Sequence, residues 1–178
     1  AFQIVRPSSI MKYPSGELVE ETGYISRLDS SKKPVNSYST VTIKNPYGPP
    51  KYWSYGLTFR DSEGMGYITF DSMVGSDYNW ELKYRWDSEV ASSASSITSG
   101  KASNLKLNAG DSNKLGLMVI DDVGVLYLND QKVSELNLTS IPGAGTTGIA
   151  TGFFSGEDWE PDGTVTEFED FNVWSLGD

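Results

Sequence analysis

Asp158-Trp-Glu160-Pro-Asp162-Gly163 sets three carboxylates at alternate positions ahead of a glycine. With Glu169 further on, the run matches positions one, three, five, six and twelve of a helix-flanked calcium loop. It departs from that loop in three ways. Position three is the longer Glu160 and position four is Pro161. No helical pattern flanks the loop, and Val165 to Trp174 reads as a strand that carries Glu169 away. Calcium needs only six to eight oxygens in flexible geometry. Asp158, Glu160 and Asp162 therefore stand as candidate calcium ligands of a different kind of site, and calcium is the one cofactor the sequence suggests.

A second constellation comes from alternation. In Tyr55-Gly-Leu57-Thr-Phe59-Arg60 the apolar residues share one side, which leaves Thr58 and Arg60 on the other. In Tyr67-Ile68-Thr-Phe70-Asp71, Tyr67 and Asp71 oppose Ile68 and Phe70. In Trp80-Glu-Leu82-Lys-Tyr84-Arg-Trp86, Glu81, Lys83 and Arg85 oppose the aromatic side. If these three strands are neighbours, Arg60, Tyr67, Asp71, Glu81, Lys83 and Arg85 gather on one polar face. Guanidinium forks donate, carboxylates accept, and an aromatic ring offers a platform to the C–H face of a sugar. The same residues also suit a solvated face held by cross-strand ion pairs. Two tryptophans outside the strands add to the glycan reading. Trp53 follows Pro49-Pro50-Lys51-Tyr52, and Trp159 lies in the acidic loop. Trp174 follows Phe171 and Val173 and reads as packing. The expected ligand contacts are thus Trp53, Arg60, Tyr67, Asp71, Glu81, Arg85 and Trp159.

Composition removes whole classes of chemistry. The 178 residues include no histidine and no cysteine, which excludes imidazole-based triads, thiol nucleophiles, zinc-finger spacings and disulfide scaffolds. Any acid–base catalysis would fall to carboxylates such as Asp71 and Glu81, the chemistry of a glycan-active enzyme. The net charge is −10, which disfavours nucleic acid and anionic lipid surfaces as partners. No apolar run approaches the ~20 residues of a spanning helix, so membrane insertion is not expected. The charge is uneven. Up to Lys132 there are 14 basic and 15 acidic residues, and beyond it nine carboxylates face no Lys or Arg. That acidic third suits a solubilising surface, and with the edge strands it is also where a protein partner would dock. The chain begins at Ala1 and is rich in Ser, Thr, Asn, Gly and Tyr. These features fit a processed chain that is secreted, periplasmic or displayed at the cell surface.

The elements that must position these residues read as strand almost throughout. Further strands are expected over Leu18 to Leu28, Ser39 to Lys44, Leu115 to Ile120, Val125 to Leu128, Val133 to Leu138, Gly148 to Phe154 and Val165 to Trp174, with an edge strand at Phe2 to Val5. Asp121-Asp122-Val123-Gly124 and Asn129-Asp130 between them have turn chemistry. The serine-rich stretch from Ser88 to Ser103 lacks an apolar stripe and reads as a surface loop. Many short strands with Gly-rich turns imply one all-β domain over residues 1–178, a two-sheet sandwich or a barrel.

Three runs carry a family resemblance. They are Tyr55-Gly-Leu-Thr-Phe-Arg60-Asp61 with Gly66-Tyr67-Ile-Thr-Phe70 and Trp80-Glu-Leu82; Asn113-Lys-Leu115-Gly-Leu-Met-Val119 with Val125-Leu-Tyr127-Leu-Asn129-Asp130; and Gly148-Ile-Ala-Thr-Gly152 with Phe168-Glu-Asp170-Phe171-Asn-Val173. Together these resemble concanavalin A-like, laminin G-like jelly-roll domains over roughly residues 40 to 176. Asp130 stands where that family usually has glycine. The resemblance implies a two-sheet antiparallel jelly-roll sandwich whose concave face or rim loops bind glycans, sometimes with calcium. Such domains are common in exported bacterial proteins as carbohydrate-binding, adhesion or sensor modules, and a related branch contains sugar-processing enzymes. A non-catalytic, lectin-like carbohydrate-binding module is the function expected. A protein-interaction, surface-assembly or sensor domain is the first alternative, and a glycan-active enzyme is the second.

Overall fold

Alternating apolar residues on short strands have to bury one side of each strand, and two sheets packed face to face do this. The computed structural model describes residues 7–21, 24–73, 75–86, 94–153 and 161–177. Among them no helix occurs, and twelve strands form two antiparallel sheets of six, a jelly-roll sandwich. The strands are β1 (Ser8–Val19), β2 (Ser26–Asp29), β3 (Ser37–Lys44), β4 (Ser54–Asp61), β5 (Met65–Asp71), β6 (Trp80–Arg85), β7 (Ala94–Gly100), β8 (Ser112–Ile120), β9 (Val123–Leu128), β10 (Gln131–Asn137), β11 (Thr146–Thr151) and β12 (Val165–Ser175). The first sheet runs β1-β12-β3-β8-β9-β10 and the second β2-β11-β4-β5-β6-β7.

The core lies between the sheets. Val41, Ile43, Leu115, Leu117, Phe171 and Val173 from the first sheet meet Tyr55, Leu57, Phe59, Ile68, Phe70 and Leu82 from the second. One polar group is carried into this core. The Tyr55 hydroxyl donates to Asn45 Oδ1 at 2.7 Å and accepts from Asn113 Nδ2 at 2.8 Å, so the buried phenol keeps its partners.

One expected loop is strand instead, and so is a stretch before Leu18 that the pattern assigned to nothing. Ser8–Val19 pairs along β12, and Ala94–Gly100 pairs along β6 as the edge of the second sheet. Ala94–Gly100 has no buried side chain, and Ser8–Val19 buries only Leu18, with Ile10 and Met11 half-buried against the core; both strands are held by ladder bonds at a sheet edge. Sequence patterning reads burial, and it misses such strands. The expected edge strand at Phe2 to Val5 lies outside the described residues.

Trp53 corrects another expectation. It does not stand on an open loop. Trp53 extends the 55, 57, 59 alternation by one step, lies fully buried in the core, and stacks on Tyr55 with ring centroids 4.4 Å apart and planes at 8°. It cannot present a ring to a ligand.

Candidate functional site

Neighbouring strands decide the question of the polar face, and β4, β5 and β6 are hydrogen-bonded neighbours. Thr58 pairs with Tyr67, Tyr67 with Lys83, Thr69 with Glu81, and Met65 with Arg85. Directly opposed residues in an antiparallel pair point the same way. Tyr67, Asp71, Glu81, Lys83 and Arg85 therefore share the side of the second sheet turned away from the core.

Arg60 leaves this face. At Phe59-Arg60 the register against β11 shifts, and Arg60 has φ of 51°, a left-handed backbone rare outside glycine. The bulge turns Arg60 to the core side with Phe59. Its guanidinium donates to the carbonyls of Val35, Ile141 (2.7 Å) and Asp121 at the end of the sandwich. Asp61 takes the outward place that alternation assigned to Arg60. There Arg27 of β2 pairs with it and with Asp29, the latter at 3.1 Å. Gly148 makes room for this cluster, since a Cβ there would stand 2.3 Å from Asp29 Oδ1. Burial, opposed by the Arg27 charge, leaves the Asp29 carboxyl above its usual range.

The rest of the face divides in two. At one end Tyr67 is sealed. Phe153 stacks on its ring at 4.9 Å and 7°, and the Arg85 guanidinium lies 5.4 Å from the ring centroid. Ile25, Met65 and Ala150 complete a small apolar cluster around them, on the opposite side of the sheet from the main core. Burial pushes the Tyr67 hydroxyl up to about 12, with the Arg85 charge opposing. Two expectations are thereby corrected: Tyr67, 1% exposed with its face covered by Phe153, cannot stack on a sugar, and Arg85, fully buried, cannot reach a ligand.

At the other end lie Asp71 and Glu81, with Lys83 Nζ 3.1 Å from Glu81 Oε2. Lys83 reaches solvent with a fifth of its side chain. Asp71 Oδ1 accepts the Met73 backbone N–H at 3.0 Å. Burial nevertheless pushes its carboxyl up to about 6, helped by the Glu81 charge and opposed by the Met73 hydrogen bond and Lys83. Half-buried Tyr78, in the β5–β6 connection, is close enough to feel both carboxylates, chiefly Glu81, which hold its hydroxyl above the ordinary value. Tyr78 and Lys83 are the partly open members of the site. Sequence reasoning passed over Tyr78 because it precedes the alternating run, although Tyr78-Asn79-Trp80 sits directly before the strand that carries Glu81.

The acidic loop adds little that can be placed. Trp159, Asp158 and Glu160 lie outside the described residues. Asp162 is exposed in a turn before β12, and among the described residues no three acidic side chains converge to hold a metal ion. Glu169 stands on β12 opposite Ser15 of β1 and Thr42 of β3, on the first sheet.

No family model matches the sequence, and no curated protein matches it. Solved structures do share the fold. A carbohydrate binding module from Bacillus subtilis superposes with a TM-score of 0.62 at 15% identity, covering 95% of each chain. The laminarinase catalytic domain of Thermotoga maritima gives 0.54 at 9% identity over 90% of this chain and 76% of its own. The Aspergillus kawachii beta-fructofuranosidase gives 0.58 at 11% identity, covering 96% of this chain and 28% of that one. At such identities the likeness is one of architecture, and it agrees with a concanavalin A-like sandwich.

Proposed function

We propose that this chain is a non-catalytic glycan-binding module of an exported protein, with its ligand site at the Asp71–Glu81–Lys83 end of the second sheet's outer face. One observation carries the reading. Two carboxylates and an ammonium are held together against a half-open tyrosine on the side of the sheet that the core does not use. Burying charge is costly, and a sugar's hydroxyls would supply the donors and acceptors that such a cluster exchanges. Above its raised value Asp71 is an acceptor for hydroxyls, Glu81 is a second, and Lys83 donates. Tyr78 offers ring and hydroxyl at the rim. Arg85 and Tyr67 act beneath as the rigid support of β5 and β6, and Trp159 is kept as a proposed ligand contact from the sequence alone. Likeness in fold to a carbohydrate binding module agrees with this use of the scaffold.

The test is calorimetric titration with a panel of soluble neutral and acidic oligosaccharides, alongside thermal melting with calcium and with chelator. At least one glycan should bind, its affinity should rise from pH 5 to pH 7.5 as Asp71 ionises, and Glu81→Gln should weaken it at least tenfold. Absence of binding across the panel, or binding indifferent to Glu81→Gln, overturns the reading.

A second reading has one observation in its favour. Asp71, held near 6 beside Glu81, has the character of a general acid next to a second carboxyl group. Turnover of a bound glycan that is lost in Glu81→Gln, with binding retained, would make the chain a glycan-active enzyme instead.

A further inference from the structure

We propose that the outer face of the first sheet carries a separate, open groove for a neutral glycan chain, running along β3 from Tyr38 to Lys44. Alternation sends Tyr38, Thr40, Thr42 and Lys44 outward from β3, and all four keep contact with solvent. Two depressions follow one another along this row. One, of about 310 Å³, is walled by Tyr38, Tyr127 and the Lys114–Asp130 pair. The other, of about 600 Å³, lies over Thr42 and Lys44 toward Glu167 and Glu169 of β12. Six residue steps of strand span about 20 Å, a length suited to several linked sugars.

The floor of the first depression is a glycine. Thr40 of β3 and Tyr127 of β9 both pair with Gly116 of β8. A Cβ on Gly116 would stand 3.3 Å from Tyr127 Cβ and 3.7 Å from the Tyr38 hydroxyl, so the missing side chain is what leaves space between the two tyrosines. Trp174 stacks on Tyr38 with centroids 5.5 Å apart and planes at 22°, fixing the ring while both remain half-buried. Asp170 explains why Trp174 is here and not in the core. Its φ of 52° marks a register shift in β12, after which Phe171 and Val173 point inward and Trp174 outward.

The chemistry of the row selects the ligand. Half-open aromatic rings meet C–H faces, and threonine hydroxyls and paired charges meet hydroxyls. Lys114 Nζ lies 2.7 Å from Asp130 Oδ1, and Lys44 Nζ 2.6 Å from Glu167 Oε2. Exposed pairs of this kind contribute little to folding, and they can trade partners with a sugar. Along the groove the cations Lys44 and Lys114 stand against Asp130, Glu167 and Glu169, so a polyanion is repelled and a neutral chain is not.

The Trp174 indole N–H, assigned with Trp174→Phe, reports on this face alone. Its nuclear magnetic resonance signal should move on titration with laminarihexaose or xylohexaose, and should stay in place with alginate oligomers. The shift should persist in Glu81→Gln. It should be lost, or need at least tenfold more ligand, in Tyr127→Ala/Lys114→Ala and in Gly116→Val. The double variant alters only the outward side, and its melting temperature checks that it folds. If the indole responds to no neutral oligosaccharide, responds to alginate instead, or still responds in the double variant, the groove is not a glycan site. If it responds while calorimetry on the Tyr127→Ala/Lys114→Ala variant finds no binding that Glu81→Gln removes, the groove stands and the second-sheet site falls.

Discussion

On the second sheet, Arg85, Tyr67, Asp71 and Glu81 are each no more than 5% exposed, whereas on the first sheet Lys44, Lys114, Asp130 and Glu169 are open to water. Both faces point away from the same core and both carry lysines, carboxylates and tyrosines. The difference is what lies over them. Phe153 and Ile25 cover part of one, and over the other, among the described residues, Tyr38 and Tyr127 lean across Gly116. Identical residue types therefore do different physical jobs. Covered charges must be matched in place or they destabilise the fold, while open charges are cheap to hold and cheap to release.

The largest effect expected from this contrast is at Arg85. Arg85→Ala removes a fully buried cation from beside the Tyr67 ring and leaves a cavity in its place. Urea unfolding should show a loss of about 3 kcal/mol, and a loss under about 0.5 kcal/mol would break the distinction between the faces. Asp71 comes next. Its folded value near 6 lies above the unfolded 3.8, so the folded state holds the proton more tightly. Its share of stability therefore falls as pH rises between those values and is level above them. Asp71→Asn should be more stable than the parent at pH 7.5, by about 1–2 kcal/mol, with the gap closing toward pH 4. A gap independent of pH would move the titration elsewhere. Smallest is Lys114→Ala on the open face, expected to shift stability by less than about 0.5 kcal/mol despite its short contact with Asp130. A cost comparable to that of Arg85→Ala would erase the comparison.

The arrangement of β4, β5 and β6 was legible because their alternation is unbroken from Tyr67 to Asp71 and from Trp80 to Arg85. That Tyr67 and Asp71 share one side, and Glu81 and Arg85 another, follows from it; that these sides form one face rests on the pairings of β4 with β5 and β5 with β6. Arg60 was misplaced because a bulge with positive φ at a non-glycine residue leaves no mark in composition. Asp170 hides the outward turn of Trp174 in the same way. Trp53 was misjudged because the prolines before it suggest a loop, yet the apolar rhythm of β4 begins two residues before Tyr55. Burial of Tyr67 was illegible for a different reason: Phe153 reaches it from a residue 86 positions away, and local periodicity carries no information at that range.

Arg60 itself has a consequence for how the chain closes. Its three carbonyl partners lie 25, 61 and 81 positions distant along the sequence. No early, local stage of folding can bring them together, since each requires a separate long segment to have arrived first. The guanidinium is thus a clasp fastened after the halves have met, and its worth is felt in how slowly the finished sandwich comes apart more than in how fast it forms.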